Sequence, residues 1–116
     1  MLAAAVWVLT LAVAAGSALA LWHLRDLTRP PLVAGIAHGI VGLVGLTLLL
    51  LVLRGPVRGV ATGVAAFGPG AAILFVAAAA TGSALLLLRR KSLVMAIHAG
   101  IAITGYALLL AWASLG

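Results

Sequence analysis

Four stretches without a charged side chain, residues 1–24, 32–53, 59–88 and 92–116, govern what this chain can fold into. Each is long enough to cross the hydrocarbon core of a bilayer, which takes roughly 20 apolar residues. Backbone N–H and C=O groups cannot stay unpaired in lipid, so only helices or closed barrels can span it. Barrel strands alternate apolar and polar residues, whereas these runs are continuous, and helices follow. Only 7% of the residues are charged and 66% are hydrophobic, against about a quarter charged in a soluble domain. The expected fold is all-α: one integral membrane domain over residues 1–116, a four-helix transmembrane bundle running up-down-up-down in a lipid bilayer.

The net charge of +6 does not point to nucleic acid, because the basic residues sit in short connections where they set orientation. Arg25, Arg29, Arg89, Arg90 and Lys91 share one side; Arg54 and Arg58 share the other. The positive-inside rule places the first group in the cytoplasm and both termini outside, which in a bacterial inner membrane is the periplasm. Asp26 changes that balance little. With no cysteine, disulfides, iron–sulfur clusters and thiolate metal sites are excluded. Ala18-Leu19-Ala20 resembles a signal-peptide cleavage site, but the segment before it lacks a basic start and its apolar run is too long. It reads as a retained helix.

The helices are expected at about residues 2–22, 32–53, 70–88 and 92–114. Pro30-Pro31 opens the second, Arg54-Gly55-Pro56 ends it, and Gly68-Pro69-Gly70 punctuates the start of the third. Trp7, Trp22 and Trp112 fall near helix ends, as interfacial anchors do. Residues 57–67 are apolar, Gly-rich and not needed for a span. They read as an interfacial loop, with the membrane surface or a partner as other resting places.

An internal repeat organises the chain. Ala15-Gly16-Ser17-Ala18-Leu19 matches Thr81-Gly82-Ser83-Ala84-Leu85 at an offset of 66. His38, Gly45 and Leu48-Leu49-Leu50 match His98, Gly105 and Leu108-Leu109-Leu110 at an offset of 60. The bundle is read as a duplicated hairpin, each copy pairing a Gly-Ser helix with a His helix.

Ionisable side chains within a span are costly and mark function, which singles out His38 and His98. Each lies six or seven residues into its helix, roughly 10 Å at 1.5 Å per residue, so the two share a depth. The second and fourth helices of such a bundle are diagonal, with axes roughly 11–14 Å apart given neighbours at 8–10 Å. That gap suits two inward imidazoles with one iron between them. Gly16-Ser17 and Gly82-Ser83 are level with the histidines and are expected to make room for a flat macrocycle. Gly42 and Gly45 follow His38 on its face, and Ala102 and Gly105 follow His98.

Three readings of the histidines stand beside each other: axial ligation of haem, favoured by matched depth and flanking small residues; another metal or a proton role; and interhelical hydrogen bonding alone. Small residues also mediate ordinary helix packing. Axial imidazole is a common way to hold haem iron, and two such ligands leave no open coordination position, which favours electron transfer over oxygen chemistry. The second ring nitrogen of each histidine needs an acceptor, with backbone carbonyls, Ser17 and Ser83 as candidates.

This layout resembles the membrane cytochromes b, which hold haem b between histidines on the second and fourth helices of a bundle. The resemblance implies His38 and His98 as axial ligands, Gly16 and Gly82 as space-making positions, and one haem b per chain. It further implies electron exchange between a quinol or quinone and a redox partner protein. Di-haem members carry another histidine thirteen or fourteen residues further along each helix; here those positions hold Leu51 or Val52 and Ala111 or Trp112. A second such haem is not expected.

His23 reads as interfacial, or as a contact to a haem propionate or quinone. Arg25, Arg89, Arg90 and Lys91 serve topology and headgroups, or neutralise propionates. Thr10, Thr47, Thr81 and Thr104 are expected to satisfy helical carbonyls, and Tyr106 to pack. No hydrolase triad, phosphate loop or carboxylate pair is present. The alternatives to an electron carrier are a metal-ion or proton transporter using the two histidines, and a cofactor-free anchor subunit of a larger complex.

Overall fold

The computed structural model describes residues 1–26, 30–88 and 92–116. Four helices follow one another: α1 (Leu2–Asp26), α2 (Leu32–Leu53), α3 (Phe67–Leu87) and α4 (Ser92–Leu115). All four are long and apolar enough to cross a membrane, and they form a bundle of 47 × 21 × 21 Å. The chain is an integral membrane protein of four-helix architecture, and no strand occurs among the described residues.

α2 occupies the expected span. α1 runs four residues further than its hydropathy implies, because a helix keeps its own backbone paired after leaving lipid. His23 and Arg25 in its last turn sit at the negative end of the helix dipole, where cations are favoured. α3 begins at Phe67 rather than at Gly70, so Gly68-Pro69-Gly70 forms part of its first turn. A proline there gives up only an N–H that would have had no helical partner. The turn is joined to the preceding loop by Phe67 N–H donating to the Val64 carbonyl at 3.0 Å and Gly70 N–H to the Ala66 carbonyl at 2.9 Å.

The helices pack as two tight hairpins, α1 with α2 and α3 with α4, joined by looser α2–α3 and α1–α4 seams. α2 and α4 are therefore diagonal. Between apolar helices in lipid, association rests on close van der Waals fit, which small residues permit. Gly45 lies against Leu9, where an added Cβ would stand 2.7 Å from that side chain. Gly105 receives Leu74 in the same way, at 3.1 Å. These glycines, expected beside a ligand, are seats for neighbouring helices. Large apolar side chains point outward, including Val33, Ile73 and Leu87.

The core occupies only half of the bundle. Ala5, Leu9, Leu46, Leu49, Ala71, Ala72, Phe75, Leu109 and Trp112 cluster towards the chain termini. Burial stops at Ala12 and Ala78; no described residue in 13–44 or 79–104 is buried. Trp7 and Trp22 are exposed as interfacial anchors should be, but Trp112 is only 3% exposed. Its indole lies against Gly68, whose absent side chain leaves it space. Trp112 is thus a core residue, and its position near a helix end misled the sequence reading.

Residues 57–66 close the terminus end of the bundle. Gly59 and Gly63 adopt φ of 76°, a left-handed conformation that costs other residues about 1–2 kcal/mol. The resulting turn brings the Val64 N–H to the Gly59 carbonyl at 2.9 Å and buries Val64 in the core cluster. Thr62 Oγ1 donates to the Leu115 carbonyl at 3.0 Å, satisfying one of the orphan carbonyls at the end of α4. Val64 is the loop residue that joins the core, while Val57 and Val60 stay exposed.

Candidate functional site

His38 and His98 are the seventh residues of α2 and α4, and the diagonal helices turn them towards one another. Their ring centroids are 6.1 Å apart and the ring planes are perpendicular, at 88°. Neither imidazole is fully exposed or fully buried. They stand at the inner edge of the close-packed half, level with Ala12 and Ala78.

Each ring rests on the Gly-Ser helix of its own hairpin. A Cβ at Gly16 would come within 2.8 Å of His38 Cε1, and one at Gly82 within 3.1 Å of His98 Cε1. The two glycines therefore make room for the imidazoles themselves rather than directly for a macrocycle. Gly42, one turn beyond His38, has no atom within 4 Å of where a Cβ would stand, so it alone of the α2 pair Gly42 and Gly45 borders open space.

The Nδ1 atoms of the two rings differ in their surroundings. His98 Nδ1 lies 2.9 Å from the Ala78 carbonyl oxygen and 3.2 Å from Thr81 Oγ1. A carbonyl only accepts, so Nδ1 carries the proton and, in the neutral ring, Nε2 carries the lone pair that a metal needs. Thr81 Oγ1 in turn donates to the Ala77 carbonyl at 3.0 Å or the Ala78 carbonyl at 3.1 Å. The backbone of Ala12, the repeat counterpart of Ala78, acts on the His38 ring. Buried His38 Nδ1 has no hydrogen-bond partner among the described residues.

Ser17 and Ser83 take no part. Both are exposed, and Ser83 Oγ donates to the Ala79 carbonyl at 2.9 Å. The acceptor that sequence reasoning sought is the Ala78 carbonyl, with Thr81 beside it. Extending the repeat four residues before each glycine, to Ala12 and Ala78, is the signal that would have found it. Arg29, Arg89, Arg90 and Lys91 lie outside the described residues.

Among the described residues no group of three or more His, Cys, Asp or Glu side chains comes together. Two imidazoles fall short of the three or four protein ligands that a bare zinc site normally uses. They suffice for an iron whose equatorial positions a macrocycle fills. With metal–nitrogen distances of about 2.0 Å on opposite sides of one ion, imidazole centroids stand roughly 6 Å apart, which matches the observed separation. By donor type and centroid spacing the pair is compatible with the axial positions of a haem. Two shallow depressions lie at the far end of the bundle, around Met1, Leu2 and Arg58, remote from the histidines.

What fold and site together define is a four-helix membrane protein with a facing pair of intramembrane imidazoles. The chain matches no protein-family model, no curated protein and no solved structure.

Proposed function

We propose that this chain is a haem-b membrane electron carrier, with one haem held by His38 and His98 between α2 and α4. The observation that carries the reading is the pair of imidazoles from diagonal helices, at one depth, with centroids 6.1 Å apart. Haem iron, when bound, supplies one-electron redox chemistry.

The residues of the chain do the remaining work. Ala78 and Thr81 hold His98 in one tautomer and one orientation. Gly16 and Gly82 let both rings approach their supporting helices closely. Lipid around the four spans would keep bulk water from the site, which raises the weight of every nearby charge. In this reading the histidine end faces the cytoplasm and the termini face the periplasm of a bacterial inner membrane, by the charge asymmetry of the connections. Quinol or quinone and a redox partner protein are the exchange partners that the resemblance to membrane cytochromes b supplies.

Absorbance of the protein purified from haem-supplied cells tests the proposal. A Soret band, a sharp reduced α band and one haem per chain are expected. His38→Ala and His98→Ala should each abolish the sharp α band. Wild-type protein without Soret absorbance would sink the proposal, and metal- or proton-dependent flux in proteoliposomes would then support the transporter reading.

A further inference from the structure

The two hairpins share the residues that seat the histidines, and among their differences one places a hydroxyl beside only one of the rings. Ala12 and Ala78 offer backbone to the rings, and Gly16 and Gly82 seat them. At the position just before each seat the first hairpin has Ala15 and the second has Thr81. Thr81 Oγ1 lies 3.2 Å from His98 Nδ1 and is itself held by the helix carbonyls behind it. Among the described residues no hydroxyl is hydrogen-bonded to His38, and its buried Nδ1 has no hydrogen-bond partner.

We propose that the two histidines are unequal ligands. His98, oriented by Thr81 and the Ala78 carbonyl, is the permanent one; His38 is releasable, leaving its place open to a small neutral ligand. The inference rests on the haem reading above. Its physical basis is that a metal-bound histidine whose second N–H is hydrogen-bonded is fixed in orientation and more basic, and losing that partner typically costs 10–100-fold in affinity. Desolvated Nδ1 of His38 lacks that support. Release is plain ligand exchange: the bond from His38 nitrogen breaks as the incoming lone pair binds, with no change in electron count at the iron. Thr81 is a positioning residue, acting through His98.

Carbon monoxide serves as the probe, with haem retention as a second readout. Reduced wild-type protein should bind carbon monoxide, and Ala15→Thr, which gives His38 the hydroxyl found in the other hairpin, should slow that binding by about 10-fold or more. Ala15→Ser serves the same purpose if the threonine variant does not fold. His38→Ala should keep its haem and bind carbon monoxide rapidly, while His98→Ala should lose most of it. In the His38→Ala background, Thr81→Val should lower haem retention and Thr81→Ser should restore it. Equal retention by the two alanine variants, with a carbon monoxide rate unmoved by Ala15→Thr or Ala15→Ser, would overturn the inequality while leaving haem binding intact. Absence of a Soret band in wild-type protein would instead remove the haem reading itself.

Discussion

Thr10 of α1 and Tyr106 of α4 share a hydrogen bond of 2.7 Å across the seam between the two hairpins. Thr10 Oγ1 also donates to the Val6 carbonyl at 2.8 Å, so its lone pair is left to accept from the tyrosine. The repeat places Val76 and Leu46 at the corresponding positions of the α2–α3 seam, and two apolar side chains form no such link. Interhelical hydrogen bonds in membranes average about 0.6 kcal/mol and reach about 1.7. Tyr106→Phe is therefore expected to destabilise the bundle by about that amount. Unfolding in mixed micelles measures it, and a Thr10→Val, Tyr106→Phe cycle that shows no coupling would refute the assignment.

The seats of the imidazoles differ in tightness. At Gly16 an added methyl group would stand 2.8 Å from His38 Cε1, and at Gly82 it would stand 3.1 Å from His98 Cε1. Gly16→Ala must turn its ring, whereas Gly82→Ala asks only for a shift of a few tenths of an ångström. The first should broaden or abolish the reduced α band and the second should leave most of it. The reverse order in a spectrum of the two variants would contradict the geometry.

Gly68 and Trp112 interlock at the terminus end. A Cβ on Gly68 would stand 2.6 Å from Trp112 Cε2 in the fused rings of the indole, and the indole is 3% exposed. Overpacking of this kind costs about 1–3 kcal/mol. Gly68→Ala should lower the unfolding midpoint and alter the fluorescence of Trp112, read in a Trp7→Phe, Trp22→Phe background. Unchanged stability would show that the α3–α4 contact is looser than described.

The closing loop has two left-handed glycines with different surroundings. Gly59 also lies against Val64, where a Cβ would approach Cγ2 to 2.6 Å, while Gly63 has nothing within 4 Å. Both alanine variants should bear the conformational cost of about 1–2 kcal/mol, and Gly59→Ala should be the worse because it also displaces a core side chain. Equal losses in the same unfolding assay would argue against burial of Val64.

A chain without cysteine allows a clean topology test. Ala61→Cys, in the closing loop, should react with a membrane-impermeant thiol reagent added to intact cells. Leu24→Cys, near the opposite end, should react only after the membrane is opened. Reversed labelling would overturn the orientation inferred from the arginines.

How far the sequence reaches can be seen in single residues. Hydropathy marks where lipid begins and ends, so α2 was legible to the residue, while α1 outlasted its apolar stretch through His23 and Arg25. Proline and glycine at positions 68–70 signal a boundary but not on which side of it the first helical turn lies. The repeat placed both histidines at one depth on diagonal helices, since periodicity and chain order suffice for that.

Tertiary structure decided the rest. Whether a glycine seats an imidazole, as Gly16 does, or a leucine, as Gly45 does, depends on the rotation of one helix against another. So does the choice of the Ala78 carbonyl and Thr81 over Ser83 as partners of His98. Four spans in lipid follow from the cost of unpaired backbone, which every stretch meets by itself. Which small side chains face which rings is set by close packing between helices, and no single stretch of sequence contains both surfaces.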